Sequence, residues 1–487
     1  MNKKNLPWMD LIAINLFWLG LNLRNNAVGT IFMPYLVDGF VGESLRNSAL
    51  GGMRTAGLVI AMLVQPAMGL LSDRSRSRFG RRRPFLLAGV LLDLVFLAWI
   101  ALAGNFWSLA AAVLFIQFSS NISHGPLQAL IPDLVPEEQR GRASGIKAIF
   151  ELLPVVLLGL TIAPLVGAGR FGWAVVATGG GMLVILAITL ATVRESPLAT
   201  PVTSPLRPAL VSVLGMLAGL VLGGLAGLGG GAVLGGMAGL AALLLGFRDS
   251  AWPTGVAVGG VAAMAIAVLA GVGSGVRATL GKLPRGQGSF LWWVVNRLMF
   301  LAAITSIQGF APFFLMYAFG VNAERAASMT GSLMTTVGIF TLVSALPAGW
   351  LSDRVGHRNL LVLSGLLGAG GTALVLGTVW LPDMGVLTLA GSILGLATGL
   401  FVTVNWSLGT HLVPQGEAGR YLGVSNLAGA GAGMIGSGIG GPLADLLNAS
   451  LPGLGYFVIF TGYLLLFLLS SLSMLGVTGL VRVRTYA

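Results

Sequence analysis

Residues 69–74 read GLLSDR, and residues 349–354, 280 positions later, read GWLSDR. Each copy ends an apolar stretch and is followed by a basic turn, RFGRRRP at residues 78–84 and GHR at residues 356–358. A second phrase, which reads VPEEQRGR at residues 135–142, returns in part as VP at 413–414 and GR at 419–420. Because two separate motifs repeat with nearly the same spacing, the chain is predicted to contain two copies of one structural unit.

The composition predicts that both copies lie in a membrane. Of the 487 residues, 55% are hydrophobic and 9% are charged, whereas soluble domains carry roughly 25% charged residues. Apolar runs of about 20 residues, enough to cross ~30 Å of hydrocarbon, recur along the chain. We therefore predict an all-α polytopic membrane protein. Duplicated membrane bundles commonly hold a solute where their halves meet.

The net charge of +12 predicts an orientation and argues against a nucleic-acid partner. When the apolar runs are taken as spans, 20 of the 28 Lys and Arg residues fall in alternate loops on one side. Arg46, Arg170 and Arg325 lie in loops on the other side. By the positive-inside rule we expect both termini and the central connection to be cytoplasmic, with the protein in the inner membrane. No cleavage site follows the first apolar run, so a removed signal peptide is not expected.

The repeats divide the chain into three predicted segments. Residues 1–197 form a six-helix bundle, residues 198–284 a Gly/Ala-rich membrane insert with its linkers, and residues 285–487 a second six-helix bundle. The insert contains apolar stretches at 209–228, 231–246 and 254–276. Because both of its ends must lie on one side, it needs an even number of crossings. We predict two, with one stretch re-entrant or interfacial, which gives about 14 transmembrane helices.

The repeated hexapeptide places a carboxylate beside a guanidinium where a helix leaves the membrane. A charge-assisted hydrogen bond of about 1.5–3 kcal/mol that exists only while one side is closed shifts a two-state equilibrium roughly tenfold or more. We predict that these charges form a gate; for Arg82 and Arg83 a role in topology alone is the alternative. The predicted gating residues are Asp73, Arg74, Arg78, Gly80, Arg81, Arg142, Asp353, Arg354, Gly356, Arg358 and Arg420.

The signature after the second span of each half, of the type G-x-x-x-D-R-x-G-R-R, resembles that of the major facilitator superfamily. More narrowly, SDRSRSRFGRRRPF at residues 72–85 and GPLQALIPDL at 125–134 resemble the sucrose and related carriers of the glycoside–pentoside–hexuronide group. RESP at 194–197 is similar to part of an element of sugar porters. The resemblance covers nearly the whole chain outside the insert. It implies two six-helix bundles and proton–sugar symport by alternating access.

One position departs from that resemblance. Plant-type sucrose carriers have an acidic residue about eight positions before the Gly-Pro pair of span 4, where this chain has Gln117. Gln128 stands where those carriers have an arginine. Because an amide cannot titrate, proton coupling at this position is not expected.

Polar side chains inside the spans are candidates for solute binding, because each ionisable group costs at least ~2.5–3.5 kcal/mol on insertion scales. A sugar requires amides and charges around its hydroxyl groups and a flat aromatic face. The predicted substrate-binding residues are Asn22, Arg24, Asn25, Gln117, Asn121, Gln308, Asn405 and Trp406. The predicted proton-coupling candidates are Asp93, His124 and Glu151, in no order, with Arg24 as a partner for a carboxylate when no solute is bound.

Other polar and aromatic residues in the spans have a structural interpretation. We expect Trp292 and Trp293 to anchor the helix at the membrane interface. Arg54 is expected to extend to the outer boundary, and Lys147 is expected to pair with Glu151 one helical turn away.

The pattern favours secondary transport of a small polar solute, with a sugar or glycoside preferred and proton symport plausible. Proton-coupled efflux of amphipathic compounds is the first alternative, and a non-transporting membrane receptor or assembly factor is the second. No nucleophile–base pair, phosphate-binding loop or metal-ligand cluster is evident, so we expect neither an enzyme nor a cofactor nor a metal. The expected partners are the solute and the bilayer, and the expected state is a monomer.

Overall fold

The computed structural model describes residues 6–193, 195, 207–280, 288–412 and 418–477. These residues are almost entirely helical and contain no strand. Within them, twelve helices are long and apolar enough to cross a membrane. The protein is therefore an integral membrane protein of the all-α class, as predicted.

The first six spans are formed by nine helices. The first span is one long helix in three parts, α1 (Trp8–Asn26), a π-helical turn (Ala27–Phe32) and α2 (Met33–Val41). The next elements are α3 (Arg46–Asp73), α4 (Arg83–Ala101), α5 (Phe106–Gln128), the short α6 (Leu130–Leu134), α7 (Arg140–Leu157), a second π-helical turn (Leu158–Ile162), α8 (Ala163–Gly167) and α9 (Phe171–Thr192). Such π-helical turns are rare and occur frequently at functional sites.

Eight helices follow, two in the insert and six in the second half. They are α10 (Arg207–Leu244), α11 (Arg248–Leu280), α12 (Gly288–Phe319), α13 (Ala323–Val355), α14 (His357–Gly377), α15 (Met384–Leu412), α16 (Ala418–Asn448) and α17 (Leu454–Ser473). With the first span and α16 added to the twelve, the described chain has 14 helical spans in the order six, two, six. We call the ends next to the basic loops the basic end and the opposite ends the far end.

The insert differs from the prediction in one respect. The stretches 209–228 and 231–246 belong to a single helix, α10, so the described insert is a two-helix hairpin without a re-entrant piece. In hydrocarbon every backbone polar group must be paired within the protein. A continuous helix satisfies this condition across the glycines at residues 229–231, whereas a break would leave unpaired groups.

Glycines allow α10 and α11 to pack with their backbones in contact. A Cβ on Gly219 would lie 2.5 Å from the Gly275 nitrogen, and one on Gly227 would lie 2.6 Å from the Ala263 carbonyl oxygen. Between them, a Cβ on Gly223 would overlap the backbone of Gly271. Since lipid tails are as apolar as leucine, such close packing is what holds membrane helices together.

Replacement of Gly223 by Leu is expected to separate the two insert helices. Overpacking of a filled interface typically costs about 1–3 kcal/mol, so the variant should show a clearly lower Tm in detergent. Gly224→Leu is the matched control, because a Cβ at Gly224 meets no atom within 4 Å. Equal losses of Tm in both variants would contradict a glycine-dependent contact.

The chain divides into two compact units, and each is described by itself. The first comprises Met1–Leu214 and Gln308–Leu342, and the second comprises Gly215–Ile307 and Val343–Ala487. The first unit thus joins the N-terminal spans to the far ends of α12 and α13. Its hydrophobic core lies among α1, α4, α7 and α9, where Phe17, Leu21 and Leu86 are fully buried. The predicted boundaries at 197 and 284 stay a prediction.

Candidate functional site

The basic turn between α3 and α4 folds around Arg82. This side chain is 2% exposed, and its guanidinium donates to Asp133 Oδ2 at 3.0 and 3.1 Å. It also hydrogen-bonds to Asp73 and to the Ser72 hydroxyl. Arg81 forms an ion pair with the second oxygen of Asp133. Because Asp133 lies in α6, the turn after α3 is fixed to the basic end of α5.

Glu195 joins the same group from the end of α9. Its Oε2 accepts a hydrogen bond of 2.7 Å from the Arg82 backbone N–H. Gly80 makes this approach possible, because it has a φ of +101° and a Cβ there would lie 2.6 Å from Glu195 Oε2. We call Asp73, Arg81, Arg82, Asp133 and Glu195 the basic-end cluster. It connects the end of α3 and the following turn with α6 and with the chain after α9.

The stability contributed by Glu195 is expected to depend on pH. Burial raises the pKa of this carboxyl, although hydrogen bonds from the Arg82 and Arg83 backbone and the Arg82 charge act in the opposite direction. The folded state therefore holds the proton more tightly than the unfolded chain. As the pH rises through the raised pKa, a buried charge must form, and stability falls.

Glu195→Gln removes this titration. We expect the Tm of the variant to equal that of the wild type at low pH and to exceed it above the raised pKa, as measured by thermal unfolding across a pH series. A difference in Tm that stays constant across the series would contradict the assignment.

Arg82, for which the sequence left topology alone as an alternative, lies at the centre of the cluster. The predicted gating residue Arg78 is exposed, and its guanidinium lies 4.9 Å from the Phe79 ring. Asp133 and Glu195 were both absent from the predicted gate. They occur in the quoted phrases at 125–134 and 194–197, but only the fold brings them to Arg82.

The remaining predicted gating residues have separate surroundings. Arg142 faces the Trp8 ring at 5.7 Å, and Arg354 lies over the Trp350 ring at 3.9 Å. Gly356 has a φ of +92°, which favours glycine at this turn as at Gly80. Arg74 and Arg358 are half-buried. The side chains of Asp353 and Arg420 lie outside the described residues.

A buried ion pair lies inside the first unit, between α1 and α4. Arg24 Nη2 is 2.7 Å from Asp93 Oδ2, and the two side chains are 3% and 2% exposed. The other Asp93 oxygen accepts a hydrogen bond from the Ser119 hydroxyl on α5. Arg24 Nε has no hydrogen-bond partner in the described part of the chain. Arg24, a predicted substrate-binding residue, and Asp93, a predicted proton-coupling candidate, are thus directly paired.

A second polar group surrounds Trp18 on α1. The Trp18 ring meets the His124 ring edge-on, with centroids 5.3 Å apart. Lys147 Nζ lies 4.2 Å from the Trp18 centroid and 3.3 Å from Glu151 Oε1. A cation over an indole is attracted to its negative face. These contacts join α1, α5 and α7 through the proton-coupling candidates His124 and Glu151.

The amides of this unit bond mainly to their own helices. Asn22 donates to the Trp18 carbonyl at 2.9 Å, and Asn121 donates to the Gln117 carbonyl at 2.7 Å. The Gln117 side chain packs against Gly57 of α3, where a Cβ would lie 3.0 Å away. Asn25 and Gln308 are half-buried. An amide bonded in this way keeps acceptor capacity at its oxygen.

The second unit contains a polar group on α12, α15 and α17. Arg297 Nη1 donates to Asn405 Oδ1 at 2.9 Å, and its guanidinium lies 4.8 Å from the Trp406 ring. Asn405 donates to Asn296 at 3.2 Å, and Asn296 donates to Ser470. The predicted residues Asn405 and Trp406 thus both contact the Arg297 guanidinium. Arg297 was not among the predicted site residues.

Two structural expectations are wrong. Trp293 is not an interface anchor, because it is fully buried and its Nε1 donates to the Asn405 carbonyl at 3.0 Å. Arg54 does not extend to the membrane boundary, because it donates to the Gly29 carbonyl on the first span. In both cases a partner on another helix satisfies the polar group, which no sequence period reveals. Trp292, at 38% exposed, is compatible with its expected position.

The far end of the first unit contains contacts that the sequence did not suggest. Arg46, 5% exposed, donates to Asp38 at 3.1 Å and to the Phe313 carbonyl at 3.3 Å. Tyr35 donates to Glu324 Oε1 at 3.2 Å. These bonds connect α2 and α3 with α12 and α13. Helices of the two sequence halves are therefore joined at this end.

Glycines bring α13 against the second π-helical turn at the same end. A Cβ on Gly159 would overlap Gly331 and Thr335, and one on Gly167 would lie 2.7 Å from Ser328 Cβ.

The described residues contain no group of three or more His, Cys, Asp or Glu side chains that could hold a metal ion.

Comparison with known families accounts for this architecture. Residues 16–225 match the family described as MFS/sugar transport protein, and residues 209–437 match the Major Facilitator Superfamily. The two matches together extend over both halves and the insert. The chain belongs to the major facilitator superfamily.

Relatives of this facilitator match over part of their length. Solute carrier family 45 member 3 from Homo sapiens is 33% identical over 138 residues, 26% of this chain and 24% of that protein. Proton-associated sugar transporter A from Homo sapiens is 33% identical over 176 residues, 31% and 22% of the two chains. A sucrose transport protein from Oryza sativa subsp. japonica is 31% identical over 126 residues, 21% and 23%. Each match spans less than a quarter of the relative.

Solved structures share the facilitator fold over nearly the whole chain. A D-xylose–proton symporter superposes with a TM-score of 0.64 at 16% identity and covers 96% of each chain. The nucleoside transporter NupG has a TM-score of 0.62 at 13% identity and covers 96% of this chain and 99% of its own. At such identities the likeness shows the fold of this facilitator and not its solute.

Proposed function

We propose that this protein is a secondary transporter that moves a small polar solute, a sugar or glycoside, by alternating access together with a proton. The observation that carries the proposal is the buried Arg24–Asp93 pair with its Ser119 partner, placed at mid-helix in a bundle of membrane spans. Charges inside a membrane are costly and mark solute or ion pathways. The matched sugar transporters support the choice of solute.

The polar groups of the first unit have the chemistry that a sugar requires. Arg24 supplies donors, Asn22 and Asn121 supply amide oxygens, and the buried Trp18 contributes an indole that Lys147 covers on one face. In the second unit, Arg297 and Trp406 offer the same combination of guanidinium and indole. Each unit, taken by itself, thus contains a guanidinium and an indole. An amphipathic cargo would instead call for a predominantly apolar lining.

The ion pair also offers a means of coupling. While Asp93 is charged, it holds the Arg24 guanidinium. A proton on Asp93 neutralises the carboxyl and weakens this hold, so the guanidinium can turn its donors to a solute hydroxyl. Solute and proton then favour the same state, which is the thermodynamic requirement for symport. His124 and Glu151 are further candidates for the proton-coupling residue. His124 contacts the Trp18 ring, and Glu151 pairs with Lys147, which lies over the same ring.

The orientation and surroundings of the transporter form part of the proposal. The distribution of Lys and Arg supports cytoplasmic termini in the inner membrane. The basic-end cluster would then lie on the cytoplasmic side and act on the gate through α3 and α4. We further propose a monomer with bundles at residues 1–197 and 285–487.

Uptake into proteoliposomes tests the function. Labelled mono- and disaccharides are presented with and without an inward proton gradient, and at least one sugar is expected to accumulate only with the gradient. Protein-free liposomes and a collapsed gradient are the controls. Accumulation of no sugar, together with gradient-driven expulsion of amphipathic dyes, would replace this proposal with efflux.

A further inference from the structure

A groove runs along the insert hairpin in the second unit. It has a volume of about 800 Å³ and lies between α10, α11 and α16. Its floor is formed by small residues, including Gly235 and Gly239 of α10, and its wall by Leu443 and Leu446 of α16. These small residues extend along about four helical turns, and at Gly236 a Cβ would meet no atom within 4 Å.

The groove has a polar end at the hairpin tip. Arg248 and Trp252 line it there, at the start of α11. The turn beside them is apolar, with Leu244 80% and Phe247 62% exposed. An exposed apolar tip lies at or within the membrane boundary and not in bulk water, and an exposed tryptophan is typical of that depth.

Arg248 has no counter-charge among the residues that the structure describes. It forms no ion pair and no side-chain hydrogen bond with the part of the chain that the structure describes. Asp249 is its sequence neighbour, but successive residues of a helix point about 100° apart. A guanidinium at the membrane boundary matches a phosphate, to which it can donate two parallel hydrogen bonds.

The dimensions of the groove select its occupant. From Leu228 to Leu243 the helix rises about 22 Å, which exceeds one leaflet of a hydrocarbon core about 30 Å thick. The groove is therefore long enough for an extended hydrocarbon chain, and its guanidinium end matches the headgroup of a lipid.

We propose that this groove binds a phospholipid with an anionic headgroup. The phosphate lies at Arg248 and Trp252, and one acyl chain extends along the glycine floor against Leu443. The site does not involve the transported solute, so it stands or falls independently of the function proposed above.

Native mass spectrometry of the full chain from mixed micelles tests the site, with phosphatidylglycerol or phosphatidylethanolamine as the added lipid. The wild type is expected to retain phosphatidylglycerol preferentially. Arg248→Gln should lower that retention at least about fivefold and lower phosphatidylethanolamine retention less, because the ammonium of phosphatidylethanolamine already offsets its phosphate. Gly236→Leu should lower retention of both lipids, because Gly236 lines the groove and a Cβ there meets no atom within 4 Å.

Matched variants separate the groove from general effects. Arg325→Gln removes an exposed arginine at the start of α13, also at the far end, and Gly229→Leu adds a side chain to α10 in open space outside the groove. Both should bind lipid like the wild type. Equal lipid loss in R248Q and R325Q, unchanged lipid retention in G236L, or a dimer that G236L converts to a monomer would each overturn the proposal.

Discussion

Asp93→Asn is expected to reduce proton-driven sugar uptake at least about 100-fold. The substitution leaves the Arg24 guanidinium buried without the carboxylate that lies 2.7 Å from it. Removal of one partner of a buried ion pair typically costs about 3–5 kcal/mol, so the Tm should fall as well. Arg24→Gln should lower uptake and Tm in the same way, because it leaves the carboxylate unpaired.

The double variant separates stability from transport. When both charges are absent, no unpaired charge remains, and the Tm is expected to recover towards the wild type. Uptake should stay lost, since neither the proton acceptor nor the solute donor is present. Asp10→Asn, an exposed carboxylate in the first turn of α1, is the control. Full proton-driven uptake in the D93N variant would refute the coupling role of the pair.

Arg82→Gln is expected to lower uptake roughly ten- to hundredfold. Arg82 is the cation that Asp73 and Asp133 share, and the glutamine would leave the two carboxylates near each other without it. Arg82→Lys should have an intermediate effect, because an ammonium is a point charge that cannot reproduce the planar fork of the guanidinium. Initial uptake rates at equal amounts of reconstituted protein measure the difference.

Arg78→Gln is the control for this comparison. Arg78 belongs to the same basic turn and to the predicted gate, but it is exposed and contacts only its neighbour Phe79 among the described contacts. We expect its rate to remain close to that of the wild type. If R78Q lowered uptake as much as R82Q, the turn would act through its total charge and not through the geometry of the basic-end cluster.

The fold could be predicted from the sequence because its main signals are local. Apolar runs separated by basic turns gave the 14 spans, and the two hexapeptides gave the duplication. The insert was anticipated as two crossings, although its first two stretches merge into α10. Helix breaks in a membrane depend on whether backbone groups can be paired elsewhere, which a run of glycines does not disclose.

The site was less accessible to sequence reasoning because its contacts are distant. Arg24 and Asp93 were both candidates, but nothing in their spacing of 69 positions joins them. Arg82 looked like one of six arginines in a turn until Asp133 and Glu195 were placed beside it. Trp293 could equally have faced lipid or the protein, and packing against α15 decides that. Whether these residues carry solute and proton stays a prediction.

The π-helical turn in the first span separates α1, which carries Arg24, from α2, which carries Tyr35. Its hydrogen bonds accommodate one residue more than an α-helical turn does. If this turn changed from π-helical to α-helical hydrogen bonding, α2 would rotate relative to α1 by about 100°. Such a rotation would carry Tyr35 away from Glu324, while Arg24, below the turn, would stay on Asp93. Such a change would release the far-end contact of the first span and leave its buried ion pair in place.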